Sequence, residues 1–519
     1  MNSNIFSKNK LVALLGLVLI VSACSKQLDI SPRQSIDANG ALSSRDAIEA
    51  SITSIYASLK GTNIYGRDLI ALPEALADNG FATNKSGRLL NEAQNVLNAH
   101  FTTAIWSNGY AAINQINNTI NAINTASLSP AITSTEQNRW LGQLLFLRGL
   151  YYFDLARVYG YIPGAVVTSQ DRGCVPLIVN GIDNSAAALV FKPSRASADS
   201  VYAQVIADFV QANNRLAFPG LGVNLANKAA AQGMLARVNL YIKNYGEAKR
   251  WADSVINLAG SRLTTVTNHV SNWRASTHGE TLFQVVYATQ AENIGVNTSL
   301  QTSYTTLVTV GNQATTGGFG DLVPTISLLN ELGITLTGGN TTSVFALNHT
   351  IASRSTDVRN LLFEPGTAGR GNIKTECTKF LGKNGTINLD NVPVYRIAEA
   401  YLIRAEAQAT AGSSVLNLTN ALADLKTIKS NRYVGYTGSA LETADNALTQ
   451  PQLFEEIIRQ RRIEFAFEGH RFFDLKRLGR DLVKGPHYNN VAFTDLRILP
   501  AIPQSDVDGN PNLRQNFGY

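Results

Sequence analysis

Cysteine is scarce here: three residues in 519, at positions 24, 174 and 377. A disulfide-stapled scaffold is therefore excluded as the organising device. Cys174 and Cys377 remain open as a pair or as two separate buried thiols, because spacing alone cannot bring them together. Histidine is nearly as sparse. His100, His269, His278, His349, His470 and His487 are scattered without metal-ligand spacing. Only "THGE" places His278 near Glu280, and two potential ligands do not make a site, so no metal is expected. Catalytic signatures are missing as well: no G-x-S-x-G, no H-E-x-x-H, no Walker loop and no complete G-x-G-x-x-G, since "PGLGVN" and "GGFGDL" lack the third glycine. No catalytic residue and no cofactor is expected. The formal net charge is +6 with no Lys/Arg run, which argues against a nucleic-acid partner.

Long apolar runs are also absent. The longest, Leu11 to Val21, is too short to span a bilayer but has the length of a secretory h-region. A basic stretch precedes it and "VSAC" follows it, in the manner of a bacterial lipobox. Residues 1–23 read as a lipoprotein signal peptide and Cys24 as the lipidated residue, with several acyl chains anchoring where one would not. Residues 24–40, polar and punctuated by Pro32 and Gly40, read as a tether.

What the chain does have is 45% hydrophobic residues in helical phase. Over 104–125, Trp106, Ile113, Ile116, Ile120 and Ile123 share one face, and Asn114, Asn117, Asn121 and Asn124 share another. Residues 134–159 follow a "TSTE" capping box and end at a glycine. Residues 225–258 form two amphipathic helices meeting at "KNYG". Small residues (Ala230, Gly233 and Ala236, then Ala248 and Ala252) allow close antiparallel approach, as in a tetratricopeptide hairpin. A similar pair spans 394–430. Between such pairs lie Gly/Thr/Asn/Ser-rich stretches at 160–195 and 260–392, with short β-like runs such as "ETLFQVVYA". They mark a helical-repeat framework with large insertions rather than a regular solenoid.

Two acid-rich segments invite a catalytic reading. Glu399 and Glu406 lie two turns apart behind Arg396, and read as an intrahelical ion-pair ladder. The segment "RRIEFAFEGHRFFDLKRLGR" (461–480) carries more charge than any apolar helix should. Placed on one helix over 454–478, Phe454, Ile458, Phe465 and Phe472 form a spine, with charges beside it. The spacing predicts pairs Arg461–Glu464, Glu464–Arg471 and Glu468–Arg471, and a His470–Asp474 contact. Charges beside a core face must be paired, so this reads as internal wiring and not as an active site.

That segment, with Arg461, Glu464, Glu468, Gly469, Arg471 and Asp474, resembles the signature helix of the SusD/RagB family, surface lipoproteins of Bacteroidota nutrient-uptake systems. "LPAIPQSDVDGNPNLRQNFGY" (499–519) resembles the family's C-terminus. "CSKQLDISP", "EALADNG", "WSNGYAAINQINNTI", "AAQGMLARVNLYIKNYGEAKRWADSVI", "ETLFQVVY", "DVR" and "VPVYRIAEAYLIRAEA" match it in order along the chain. Gln460 and Phe517 depart from its usual residues. The resemblance implies a mainly α SusD-like fold: tetratricopeptide-like helix pairs as scaffold, a loop-rich ligand face and a few short strands. Residues 41–519 would form one SusD-like domain, with an N-terminal region of about 41–259 and a C-terminal one of about 260–519. It further implies a lipid anchor in the outer membrane, surface exposure, and a SusC-like TonB-dependent β-barrel partner that receives an oligosaccharide, or in some branches a peptide, without chemistry.

Sugar recognition needs aromatic faces with amides at the rim. Loop residues of that chemistry are Tyr65, Phe81, Trp273, Tyr304 and Phe319, with Asn79, Asn84, Asn312 and Gln313 nearby. Trp106 starts a helix and reads as core. Only four tryptophans are present, three of them in predicted helices, which leaves a peptide or small glycan open as ligand. An outer-membrane hydrolase would need two carboxylates converging from different elements. A scaffold for protein assembly would show a bare helical groove, without the insertions at 260–392.

Overall fold

The computed structural model describes residues 41–125, 128, 131–383 and 386–519; the expected signal peptide, the Cys24 lipidation site and the 24–40 tether lie outside the described residues. The first half is a run of helices: α1 (Arg45–Ser58), α2 (Asp68–Leu76), α3 (Thr103–Thr125), α4 (Ser134–Tyr159), the short α5 (Ser185–Val190), α6 (Ala198–Arg215), α7 (Lys228–Tyr241) and α8 (Tyr245–Ala259). The expected signals set their ends. Thr133 and Glu136 form the reciprocal capping box of α4, which stops at Gly160.

On α3 the isoleucine face is buried with Trp106, as expected. The asparagine face has a use that periodicity could not reveal. Asn117 donates to the Ile178 carbonyl at 3.0 Å, and Asn114 both donates to and accepts from the Ile182 backbone at 2.9 and 2.8 Å. The amides thus pin the 178–182 segment, where backbone groups would otherwise be unpaired.

Among the described residues the strands, nearly all of them in the second half, form two-stranded antiparallel pairs. β1 (Gly80–Ala82) pairs with β3 (Leu322–Pro324), and β2 (Thr281–Val285) with β8 (Val392–Arg396). β4 (Ile334–Leu336) pairs with β5 (Ile351–Arg354), and β6 (Phe363–Pro365) with β7 (Thr375–Cys377). Helices then resume: α9 (Ile397–Ala409), α10 (Leu418–Ser430), α11 (Gln450–Glu464), α12 (Arg471–Leu478) and α13 (Gln504–Gly509). Helix α9 packs directly on α8, so the row α1, α3, α4, α6, α7, α8, α9, α10 is continuous in space although 260–396 interrupts it in sequence. That arrangement is a helix-pair scaffold bearing a large insertion. Gly233 makes room for the Tyr395 ring of β8: a Cβ there would lie 2.5 Å from it, so this glycine serves the helix–strand approach as well as the hairpin. The main apolar core runs from Ile48 to Leu513, with a smaller cluster between α9, α10 and α11. Cys174 and Cys377 are buried and unpaired.

One expectation fails: 454–478 is not a single helix. The chain breaks after α11 and restarts at α12, with Phe467 at φ 64° and Gly469 at φ 81°. Helix α2 occupies the notch. Glu74 accepts from the Gly469 N–H at 2.9 Å, and a Cβ on residue 469 would lie 2.5 Å from the Leu69 carbonyl oxygen. The break cancels the predicted local pairs. Arg461 bonds Glu399 and Asp474, Glu464 bonds Arg359, Arg396 and Arg432, and Glu468 bonds Lys379 and Arg396. Arg471 bonds Asp78, and His470 stacks on Phe465 instead of bonding Asp474 through its side chain. The ladder expected on α9 is likewise replaced. Glu399 pairs with Arg237 and Arg461, Glu406 with Arg477, and Arg396 with Glu280, Glu464 and Glu468. In each case the charge turns inward toward another element, where burial makes a well-aligned partner obligatory.

Candidate functional site

The irregular loops need a rigid floor, and the ion network supplies it. Arg359, Arg396, Arg432 and Lys379 meet Asp357, Glu280, Glu464 and Glu468, all of them buried. Glu464 alone accepts from Arg432 Nε at 2.9 Å, Arg396 Nη1 at 3.1 Å and Arg359 Nη1 at 3.3 Å. Burial by itself would raise the Glu464 carboxyl; the Arg432 and Arg396 guanidiniums outweigh it and hold the group well below the usual range. Lys379 ties this network to the end of β7, donating to Glu468 at 2.6 Å and to the Glu464 carbonyl at 3.1 Å. Three residues back along the chain, Glu376 is fully buried and accepts from Thr305 Oγ1 and from both the N–H and Oγ1 of Thr306, at 2.6–3.0 Å. Its other oxygen faces Lys85 at 3.4 Å. Burial raises this carboxyl, against the pull of Lys85 and the Thr306 N–H.

Above that floor four loops are stitched into one face. Residues 83–88 are bound to 320–321 through Thr83 Oγ1 to the Gly320 carbonyl (2.7 Å) and Ser86 Oγ to Asp321 (2.5 Å). Arg88 reaches Asn297 in the next loop at 3.2 Å. Gln313 donates to the Gly366 carbonyl at 2.8 Å, Thr316 bonds Thr367 at 2.6 Å, and Arg370 Nε donates to the Gly318 carbonyl at 3.2 Å. At the centre is the half-buried Phe319, with the Arg370 guanidinium 3.9 Å and the Arg88 guanidinium 4.8 Å from its ring centroid. Asn84, Asn312, Gln313 and Arg370 are exposed. An aromatic ring, fork-shaped cationic donors and exposed amides can together hold a polyhydroxylated or carbonyl-rich ligand through apolar contact and directional hydrogen bonds.

The sequence-predicted site residues divide sharply. Asn84, Asn312, Gln313 and Phe319 come together here. The other five are packing or wiring residues, Phe81 alone among them being half-buried. Tyr65 is buried and donates to Asp154 at 2.8 Å. Trp273 and Tyr304 are buried around the α11–α12 break: Tyr304 lies edge-on to Phe467 at 4.8 Å, and Trp273 lies tilted against His278 at 4.6 Å. Asn79 is buried between Glu74 and Arg462. Phe81 is half-buried in β1 against Phe345, His487 and Tyr488. Sequence reasoning missed Lys85, Arg88, Asn297 and Arg370. Their signal was an aromatic search that ignored cations, since Arg88 and Arg370 matter only through their placement on Phe319.

A carboxylate pair of glycosidase type does not form on this face. Glu376 is sealed beneath Gly320 and Gly366 and saturated by the threonine donors. Asp321 is buried and bound to Ser86. Among the described residues no group of three or more His, Cys, Asp or Glu side chains is placed to hold a metal ion.

Comparison with known proteins agrees with the architecture. Residues 370–519 match the model of the SusD family, and residues 26–240 match a family described as starch-binding, associating with outer membrane. Between them these matches cover more than half of the chain. SusD-like protein P2 of Formosa agariphila is 25% identical over 488 residues, 90% of each chain. The starch-binding protein SusD of Bacteroides thetaiotaomicron is 32% identical over 136 residues, 25% of this chain and 22% of that one. A crystal structure of a SusD superfamily protein from B. thetaiotaomicron superposes with TM-score 0.74 at 25% identity, covering 91% of this chain and 99% of that one. A putative sugar binding protein from Bacteroides vulgatus superposes with TM-score 0.72 at 23% identity, covering 92% and 99%. Family match, relatives along nearly the whole length and the shared helix-pair architecture agree: this chain belongs to the SusD family.

Proposed function

We propose that this protein is a non-catalytic carbohydrate-binding lipoprotein of the outer membrane. It captures an oligosaccharide at the face around Phe319 and delivers it to a SusC-like TonB-dependent β-barrel. Cys24 carries the lipid anchor, and the 24–40 tether leads to a single binding domain exposed at the cell surface. The observation that carries the reading is the convergence of exposed amides, two guanidiniums and one aromatic ring on loops of the insertion and on the 83–88 loop bound to them. Two relatives support it by name: one family matched is called starch-binding and one structural neighbour sugar binding. Carboxylates are withheld from the face by burial, which fits binding without hydrolysis.

A peptide ligand is the second reading. The platform is a single phenylalanine flanked by two guanidiniums, which suits carbonyl and carboxylate groups as well as hydroxyls. Calorimetric titration of the purified chain against a panel of glycans and mixed peptides, with product analysis, separates these readings. Saturable binding of one glycan class without product is expected. Binding of peptides alone moves the protein to peptide uptake, and turnover makes it a hydrolase. Silence across both panels contradicts a site complete in this chain.

A further inference from the structure

The loops around Phe319 carry charge of one sign. Residues 83–88, 293–299, 305–320 and 365–374 hold Lys85, Arg88, Arg370 and Lys374, and not one Asp or Glu. Glu292 and Glu364, at the edges of these stretches, pair with Lys60 and Arg354. The acids beneath them, Asp321 and Glu376, are buried. Three of the four cations are engaged by the protein itself. Lys374 is buried and donates to the Phe345 and Leu347 carbonyls at 2.5 and 2.6 Å. Lys85 turns down to Glu376 at 3.4 Å, and Arg88 lies 3.7 Å from Asp321. Arg370 differs. It is exposed, its Nε donates to the Gly318 carbonyl at 3.2 Å, and it takes part in none of the ion pairs among the described residues.

The surroundings of Arg370 fix what it offers. Its guanidinium sits 3.9 Å from the Phe319 ring centroid, so the ring carries a cation where a bare aromatic platform would carry a pyranose. The Phe319 N–H is itself anchored on Thr302 Oγ1 at 3.1 Å. The loop bearing Arg370 presses on the loop bearing Phe319, since a Cβ on Gly369 would collide with Thr316 Oγ1. With Nε engaged, the terminal nitrogens of a preoriented fork are left for a ligand. A neutral ligand lying over that unpaired charge would strip its water and return no opposite charge. A carboxylate or sulfate returns one, through charge-assisted hydrogen bonds.

We propose that the face around Phe319 selects an anionic saccharide, a uronate or a sulfated sugar, whose acid group sits on the terminal nitrogens of Arg370. The exposed Asn84 and Asn312 amides take hydroxyls of the same ligand. The acid-free loops keep like charge away from that group, which gives discrimination against neutral glycans as well as affinity. This inference rests on the saccharide reading of the face and names the class of saccharide.

The test is calorimetric titration of the purified chain with matched pairs of oligosaccharides: oligogalacturonate and oligomannuronate beside their methyl esters, and a sulfated galactan fragment beside its desulfated form, with maltohexaose as a further neutral probe. An anionic member binds saturably and at least about tenfold tighter than its neutral counterpart, and its affinity falls as salt rises from about 0.05 M to about 0.5 M. The uronate and sulfate arms tell which acid group is read. Arg370→Gln, a change at an exposed position, lowers that affinity at least about tenfold, removes most of the salt dependence and leaves the melting temperature unchanged. Arg370→Lys, which keeps the charge without the fork, recovers part of the loss. Equal binding within every pair, or an anionic ligand indifferent to Arg370→Gln, overturns the inference. Saturable binding of neutral glycans alone overturns it too and leaves the saccharide reading standing. Silence across all the glycans overturns both.

Discussion

Glu464 accepts hydrogen bonds from three arginines, and no water-facing edge of the cluster relieves its loss. Glu464→Ala leaves Arg359, Arg396 and Arg432 without their shared carboxylate. A destabilisation of about 3–5 kcal/mol is expected, read as a shift in the urea midpoint. The same pairing sets the acid limit. Burial would raise Asp474 and Asp78, but Arg461 with Arg477, and Arg462 with Arg471, bring both carboxyls down to about 2. Their folded values lie below the unfolded reference of about 3.9, so the unfolded chain takes up these protons first. The stability they contribute is complete above about pH 4 and fades as pH falls toward about 2, at roughly 2–3 kcal/mol for each group. Melting temperature measured from pH 5 to pH 2 should drop steeply in that window. Asp474→Asn should melt lower at pH 6 and flatten the profile. These partners were not legible in the sequence. The charges showed that pairing was required, but helical spacing offered local partners, and only the fold brings Arg396 and Arg432 to Glu464.

At the scale of elements, what could be read from sequence was what local signals control. The capping box at Thr133, the isoleucine face of α3 and the hairpin at "KNYG" each depend on residues within one or two turns. Thr133→Ala should therefore cost about 1 kcal/mol and fray the start of α4, visible as faster amide exchange there. The α11–α12 break escaped because its phenylalanines keep helical phase straight through it. Its cause is tertiary: α2 requires the close approach that Gly469 allows, at a positive φ that also disfavours a side chain. Gly469→Ala should cost more than about 2 kcal/mol, measurable by chemical denaturation, and should loosen 465–470 before the flanking helices. The same limit explains the candidate ligand residues. Trp273 and Tyr304 sit in segments with loop composition, but those segments fold over the break and bury them against Phe467 and Phe380.

For the whole molecule, scaffold and insertion divide the work. The helix row supplies shape, and the buried ions fasten β7 to it through Lys379. Glu376 then fastens the loops to β7 through Thr305, Thr306 and Lys85. A ligand face built on loops is thereby held without helices of its own. Phe319→Ala removes the ring that both guanidiniums rest on, and should weaken glycan affinity at least about tenfold while leaving the melting temperature within a few degrees. The most direct test of this account is hydrogen exchange of the chain with and without saturating amounts of the glycan that calorimetry selects. The account predicts protection over 83–88, 311–320 and 365–371, and none over 176–193. Protection confined to 176–193, or none at the three loops, would contradict it.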